Sequence, residues 1–478
     1  MAISEFDRMD GLGLAGLVAS GDISASELLE EAITRAERVN PVLNAIVYRD
    51  YERARAAASA ELPKGPFAGL PFLLKDMGLQ CEGMPTRQAS RFFPPFPADH
   101  DSFLMARFRR AGLIAFAKTN APEFGLVPTT EGKLYGPARN PWNPAHSTGG
   151  SSGGAAAAVA AGIVPMAHAN DGGGSIRIPA SCCGLVGLKP TRGRVSAGPD
   201  LPDAVDGLAV ELVVSRSVRD SAAALDVAAG PEPGDPYASP AKPESYLEAS
   251  KRPPRRLRIA TTVKKLDGAP AHSDCIAAVE HAARICAGLG HDVEEAAPGI
   301  DLGALMPAFS AVWCSNLACV IDFVAFLTGQ TPSRDNLEGL TLALYEWGKA
   351  VSASRYLQSK MRLNQLSRTM AKFHRQYDLW LTPTLSSPPW KLGTLDVERR
   401  DAEAAMALLC DYVPYTALQN ITGQPAINLP LHWNGAGLPI GVQFVAPFGD
   451  ELTLLQLATQ LEQAHPWFAR YGSIKLKG

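Results

Sequence analysis

Two serines that follow glycine runs constrain this chain more than any other feature of its sequence. Residues 147–196 place Ser151 and Ser175 on either side of an alanine-rich segment. The glycines beside them are Gly149, Gly150, Gly153, Gly154, Gly172, Gly173 and Gly174. Glycine permits sharp backbone turns and brings N–H groups close to a ligand, and N–H groups grouped before a serine can bind an oxyanion. The stretch predicts acyl chemistry on a serine.

A lysine provides the candidate base. Residues 71–74 form a short apolar run that favours a buried strand, and the run ends at Lys75 and Asp76. From the residues alone, Lys75 is either a charge that emerges at a strand end or a buried functional amine. Burial among apolar groups disfavours the ammonium form and lowers the pKa of a lysine. A buried Lys75 could therefore accept a proton.

The histidines do not indicate the common Ser-His-Asp arrangement. The chain has nine of them, and none lies in a G-x-S-x-G or similar context. His168 is near the second glycine run, but it occupies a predicted strand position. We expect it to pack in the core.

These motifs, together with the segment NITGQPA at residues 420–426, resemble the amidase signature family over most of the chain. Members of that family are serine hydrolases that cleave carboxamide C–N bonds. The resemblance implies an α/β fold in which a central mixed, twisted β-sheet is covered by helices on both faces. It also implies one domain, 1–478, made of a signature half (1–229), a linker-like excursion rich in Pro, Gly and Ser (230–256) and a C-terminal half (257–478).

The resemblance assigns roles residue by residue. Ser175 is the nucleophile, Ser151, whose preceding peptide bond is typically cis in the family, links it to Lys75, and no metal or cofactor takes part. The expected oxyanion donors are the N–H groups of Gly172, Gly173, Gly174 and Ser175. The expected supporting residues are Ser152, which would orient Lys75, Asn170, and the scaffold pair Asp171 and Arg177. Separately from the resemblance, the long irregular segment that ends near residue 143 is of a kind that is usually functional, and the expected substrate-binding residues are Gly125, Leu126 and Tyr135 within it, with Gly149 and Gly150.

The expected activity is that of an amidase (EC 3.5, within it 3.5.1.4) on small to medium, partly apolar carboxamides through an acyl-serine. Many family members have Thr where this chain has Asn170. The segment NDGGGSIRIPAS at residues 170–181 resembles the same segment in the branch of the family that includes 6-aminohexanoate cyclic dimer hydrolase and broad-range amidases. Two alternatives use the same residues: hydrolysis of cyclic amides, nylon-type oligoamides or carbamates (a urethanase), and the A subunit of a tRNA-dependent amidotransferase. Retention of all three catalytic positions disfavours an inactive binding scaffold.

Composition sets the remaining expectations. A net charge of −3 gives no electrostatic reason to bind nucleic acid or an anionic membrane. Residues 311–327 are apolar but are interrupted by Asn316 and Asp322, which favours a buried core helix over a membrane span. The first residues carry acids and lack an apolar secretion segment. We expect a cytoplasmic monomer or homodimer with free thiols that needs only a small amide and water.

Overall fold

The computed structural model describes residues 6–201, 203–238 and 240–476, apart from the side chain at position 304. The N-terminal segment that we predict to carry no secretion signal includes residues 1–5, which lie outside the described residues. All eight cysteines lie within the described part of the chain and are free thiols, as expected.

Helices account for more of the described residues than strands do. In the first half they are α1 (Gly11–Ser20), α2 (Ala25–Leu43), α3 (Tyr51–Ser59), α4 (Phe103–Arg110), α5 (Gly153–Ala160), α6 (Arg177–Cys183), α7 (Val218–Ala228) and α8 (Tyr246–Ser250). In the second half they are α9 (Ser273–Gly288), α10 (Leu302–Thr328), α11 (Gly339–Lys349), α12 (Ala353–Phe373), α13 (Ala402–Tyr412), α14 (Ala417–Thr422) and α15 (Glu451–Ala464). Short 3-10 turns occur at Glu123–Gly125 and Phe468–Ser473.

Within the described residues, the strands form three sheets. Up to residue 215 they are β1 (Ile46–Arg49), β2 (Leu70–Lys75), β3 (Leu113–Thr119), β4 (Arg139–Asn140), β5 (Asn143–Ser147), β6 (Met166–Asp171), β7 (Val186–Lys189) and β8 (Val210–Ser215). The later ones are β9 (Arg258–Thr261), β10 (Asp292–Glu295), β11 (Leu379–Pro383), β12 (Ala426–Trp433) and β13 (Pro439–Val445).

The largest sheet has eight strands in the order β10-β9-β11-β13-β12-β7-β8-β6. The pairs β10–β9 and β9–β11 are parallel, and the other neighbours are antiparallel. Its strands β6 to β8 come from the first half of the chain and β9 to β13 from the second. The mixed sheet and its helices confirm the predicted fold class.

A three-stranded sheet, β1-β3-β2, positions the candidate base. All six residues of β2 are buried, and Lys75 is the last of them. The backbone N–H of Lys75 donates to Nδ1 of His168 in β6 at 3.3 Å. This contact joins the small sheet to the edge strand of the large one, so that the ends of β2 and β6 meet.

Two helices depart from simple sequence rules. The helix that begins after Ser24 has a capping box and continues through Pro41 to Leu43. Asn40 remains helical because its side chain bonds both the N–H and the carbonyl of Ile46, which offsets the usual bias of a residue before proline. In addition, α10 is only partly buried, because Phe323 and Phe326 in its C-terminal half are exposed.

Candidate active site

Lys75 and Ser151 form the centre of the site. The Nζ atom of Lys75 lies 2.6 Å from Oγ of Ser151, within a short hydrogen bond. Lys75 is fully buried, Ser151 is 2% exposed and Ser175 is 8% exposed. The three side chains therefore differ in solvent exposure, and the lysine is not exposed to solvent.

Ser151 is held in a tightly packed turn between β5 and α5. The peptide bond between Gly150 and Ser151 is cis, and Gly149 has a φ of 72°. A Cβ atom on Gly150 would lie 2.5 Å from the carbonyl oxygen of Thr129. Gly149 and Gly150 consequently shape the backbone against protein neighbours and do not line the cavity described below, which corrects their expected substrate-binding role.

The surroundings of Lys75 favour a neutral amine. Burial lowers the pKa of Lys75 to about 7, although the carboxylates of Glu211 and Asp171 act in the opposite direction. A large part of the lysine population is then unprotonated near neutral pH. Such an amine can accept a proton from a hydroxyl group.

Asn170 also contacts the lysine, from the end of β6. Its Oδ1 accepts a 2.6 Å hydrogen bond from Lys75 Nζ, while its Nδ2 faces the carbonyl of Met77 and a carboxylate oxygen of Glu211. Ser152, expected to orient Lys75, instead donates to the backbone carbonyl of Asn170 at 3.2 Å. Orientation of the amine therefore depends on Asn170.

Asp171 and Arg177 form a buried ion pair beneath the nucleophile loop. Arg177 donates to both carboxylate oxygens of Asp171, at 2.8 and 2.9 Å, and both side chains are fully buried. Burial alone would raise the pKa of Asp171, but the charge and hydrogen bonds of Arg177 lower it to about 2. Arg177 also bonds Gln419, Asn420 and Gln443 and does not line the cavity, so its contacts are those of a scaffold residue.

The N–H groups before Ser175 are not equivalent. Gly174 donates to Oδ1 of Asp171 at 2.7 Å, so its N–H is already bound and cannot serve an oxyanion, which corrects that expectation. Within the described residues, the N–H groups of Gly172, Gly173 and Ser175 have no protein acceptor. Thr416 donates to the carbonyl of Gly173 at 2.6 Å and fixes the loop from the other side.

A cavity of about 290 Å³ opens onto Ser175 and Gly173. Gly125 and Leu126 line it, as expected. Tyr135 does not, because its hydroxyl group donates to Asp76 at 2.8 Å. The other lining residues are mostly apolar, with Lys265, Asp267 and Asp411 as the charged members.

Most of the cavity wall was missed by sequence reasoning. It comes from α10 through Met306, Phe309 and Trp313, and from the residues around α13 and α14, including Met406 and Leu418. The apolar composition of residues 311–327 predicts a buried core helix, but nothing in it predicts that this helix lines a cavity beside residues 125–128 and 175. Asn420, from the segment at residues 420–426, donates to the carbonyl and the carboxylate of Asp171.

The chain is similar to known proteins over nearly its whole length. The family model described as Amidase matches residues 27–455. The 6-aminohexanoate-cyclic-dimer hydrolase of Paenarthrobacter ureafaciens is 39% identical over 477 residues, which covers 96% of each chain. The protein of the same name from Pseudomonas sp. (strain NK87) is 38% identical, also over 96% of each chain.

Solved structures of two related enzymes have the same fold as this chain. That of 6-aminohexanoate cyclic dimer hydrolase complexed with substrate has a TM-score of 0.92 at 38% identity and covers 98% of this chain and 99% of the other. A bacterial aryl acylamidase of the amidase signature family has a TM-score of 0.88 at 26% identity over 98% of each chain. On the extent of these matches and the site geometry, this chain belongs to the amidase signature family and is a hydrolase of carbon–nitrogen bonds.

Proposed function

We propose that this chain hydrolyses small to medium, partly apolar carboxamides through an acyl-enzyme on Ser175. The observation that carries the proposal is the 2.6 Å contact between the fully buried Lys75 amine and Ser151, together with a cavity that opens onto Ser175. A nucleophile, a base and free N–H donors are the groups that acyl transfer requires.

In this mechanism Ser175 Oγ attacks the amide carbon while its proton passes to Ser151 and the Ser151 proton to neutral Lys75. The N–H groups of Gly172, Gly173 and Ser175 stabilise the oxyanion. The proton returns through Ser151 to the amide nitrogen, the C–N bond breaks and the amine leaves. Water then attacks the ester of Ser175 by the same path and releases the acid. Asn170, Asp171 and Arg177 hold these groups in position.

Cyclic and oligomeric aliphatic amides are the substrates that we favour within this class. Two of the relatives that match over 96% of their length are named for the cyclic dimer of 6-aminohexanoate, and the cavity is lined mostly by apolar side chains. Carbamates remain the alternative substrates for the same catalytic residues. The likeness to the A subunit of a glutamyl-tRNA amidotransferase, at 24% identity, supports the fold alone.

We also propose that the protein is a single domain and that it acts without a cofactor or nucleic acid. It would work in the cytoplasm as a monomer or homodimer. The test incubates the purified full chain with the 6-aminohexanoate cyclic dimer, its linear oligomers, an aliphatic amide, an anilide and a carbamate. We expect amine release from the cyclic or linear aliphatic amides that is lost in Ser175→Ala. Failure of the wild-type chain on every amide, or equal rates in the variant, would contradict the proposal.

A further inference from the structure

Glu211 is a largely buried acid close to Lys75 that the mechanism above does not use. It lies on β8 directly opposite Asn170, its cross-strand partner in the antiparallel pair of β6 and β8, and its side chain is 12% exposed. His168 is two residues before Asn170, so both side chains leave the same face of β6. Glu211 contacts both of them, and both of them contact Lys75.

The contact with His168 fixes the tautomer of that imidazole. Nδ1 of His168 accepts the backbone N–H of Lys75 at 3.3 Å, so this nitrogen carries no proton. A neutral imidazole has its single proton on the other nitrogen, and Nε2 lies 3.2 Å from Oε2 of Glu211. His168 therefore donates to Glu211 and accepts from the end of β2.

The contact with Asn170 fixes the orientation of its amide. Nδ2 of Asn170 lies 3.4 Å from the carbonyl of Met77 and 3.5 Å from Oε1 of Glu211. Both of these oxygens can only accept hydrogen bonds, so the NH2 group is directed to them. The Oδ1 atom is consequently directed to Nζ of Lys75, 2.6 Å away.

The orientation of this amide decides whether Lys75 can act as a base. A neutral amine has two N–H groups and one lone pair. Because Oδ1 of Asn170 accepts one N–H, the lone pair stays available for the hydroxyl proton of Ser151, whose Oγ is 2.6 Å from Nζ. A flipped amide would turn its NH2 group toward Nζ and donate to the lone pair. Lys75 could not then take the Ser151 proton.

The turn that follows Lys75 leaves room for the carboxylate. Gly78 has a φ of 79°. A Cβ atom at this position would overlap Oε1 of Glu211 and would lie 2.8 Å from Nδ2 of Asn170. Glu211 and Asn170 thus meet in the space beside a residue that has no side chain.

We propose that Glu211 is a positioning residue for the base: its carboxylate holds His168 and Asn170 so that Lys75 keeps a free lone pair toward Ser151. The inference rests on the proposed function, in which Lys75 is the base. Glu211 also places a negative charge near the amine, which favours the ammonium form. Removal of that charge should therefore lower the pH at which Lys75 becomes neutral.

Few other charges act on Lys75. Burial lowers its pKa to about 7, and two carboxylates oppose this effect, those of Glu211 and Asp171. In the described part of the chain, the charged and titratable groups around the cluster are Lys75 of β2, His168 and Asp171 of β6, Lys189 of β7 and Arg177 of α6. Asp171 is paired with Arg177. A change at Glu211 therefore removes one carboxylate and leaves the other with its partner.

The first test is the pH dependence of kcat/KM on a soluble amide for wild type and Glu211→Gln. The substitution keeps the size of the side chain and removes its charge, so the midpoint of the rise should move by about one pH unit to lower pH. Glu294→Gln is the control, because Glu294 is exposed on β10, the edge strand farthest from β6, and it should leave the midpoint in place. The midpoint does not depend on how much of a variant is folded.

The second test asks whether Glu211 acts through Asn170. A glutamine can donate its NH2 group to Oδ1 of a flipped Asn170, so Glu211→Gln should lower the alkaline plateau of kcat/KM by about five- to tenfold. In the Asn170→Ala background the same change should cost at most about twofold, because the amide that Glu211 orients is absent. Glu211→Asp keeps the charge but is shorter. It should lower the plateau in the same non-additive way, with its midpoint near that of wild type.

An unchanged or higher midpoint in Glu211→Gln overturns the proposal. Plateau losses that multiply in both double variants also overturn it, because a residue with a merely structural role would give independent effects. If the wild-type chain hydrolysed no amide, the proposed function would be contradicted instead.

Discussion

Lys75 donates to Asn170 as closely as it donates to Ser151: both contacts of its Nζ atom measure 2.6 Å. The amide of Asn170 is neutral, so it orients the lysine without adding a charge that would favour the ammonium form. A carboxylate at this place would act differently, because an opposite charge within about 4–6 Å raises the pKa of a lysine.

Asn170→Asp should therefore move the pH midpoint of the rise in kcat/KM to a higher pH. An added carboxylate raises the pKa of Lys75 by about 1–3 units, so more alkali is needed to obtain the neutral amine. The measurement is the pH dependence of kcat/KM on an amide for wild type, Asn170→Asp and Asn170→Ala. The Ala variant loses rate but should not move the midpoint upward. An unchanged midpoint in Asn170→Asp would show that Lys75 is not the titrating base.

The wild-type pH profile follows from the same group. Burial lowers the pKa of Lys75 to about 7, and only the neutral form can accept the Ser151 proton. The kcat/KM for an amide should therefore rise as pH increases through about 7 and then level off. A maximum near pH 5 would be incompatible with a lysine base.

Lys75→Ala should damage amide hydrolysis more than ester hydrolysis. An amine leaves poorly unless its nitrogen is protonated, whereas a nitrophenyl ester departs without that help. General acid–base assistance is typically worth about 10²–10⁴-fold, and Ser151→Ala should show the same bias because the proton passes through it. The measurement is kcat/KM on an amide and an activated ester with the same acyl group.

Lys118→Met is the matched control for this comparison. Lys118 is another buried lysine, with a pKa lowered by burial to about 8, but it donates to Thr86. Replacing Lys118 should change kcat/KM for the amide and for the ester by the same factor. If Lys75→Ala also lowered the two rates equally, Lys75 would have no part in protonating the leaving group.

Arg177→Met should destabilise the whole protein, because it leaves the carboxylate of Asp171 buried without its partner. Removing one member of a buried ion pair costs about 3–5 kcal/mol in the free energy of unfolding. Arg49→Met is the control: Arg49 and Glu37 form an exposed pair, and such pairs contribute about 0–1 kcal/mol. Urea unfolding of both variants measures the difference. Equal losses would mean that the Asp171–Arg177 pair is not the support beneath the nucleophile loop.

The candidate catalytic residues could be selected from the sequence because their motifs are local. The apolar run before Lys75 and the glycines beside Ser151 lie within short segments that can be interpreted without knowing the fold. Gly174 illustrates the limit, since its N–H is bound to Asp171 only because the loop folds back on that carboxylate. The occupied donor could not be distinguished from the free ones by composition.

The cavity wall was not predictable in the same way. Trp313 lines the cavity and Phe326 is exposed, although both lie on one apolar helix. Their difference depends on which neighbours pack against each turn, and those neighbours are distant in sequence.

Mass spectrometry of the quenched enzyme tests the central claim most directly. The full chain is mixed with an activated ester of a small apolar acid and stopped in acid before the acyl group is hydrolysed, and the digested peptides are analysed. The mechanism predicts one added acyl group, on Ser175, which is absent from Ser175→Ala. An acyl group on another residue, or one that remains in Ser175→Ala, would contradict the assignment of the nucleophile.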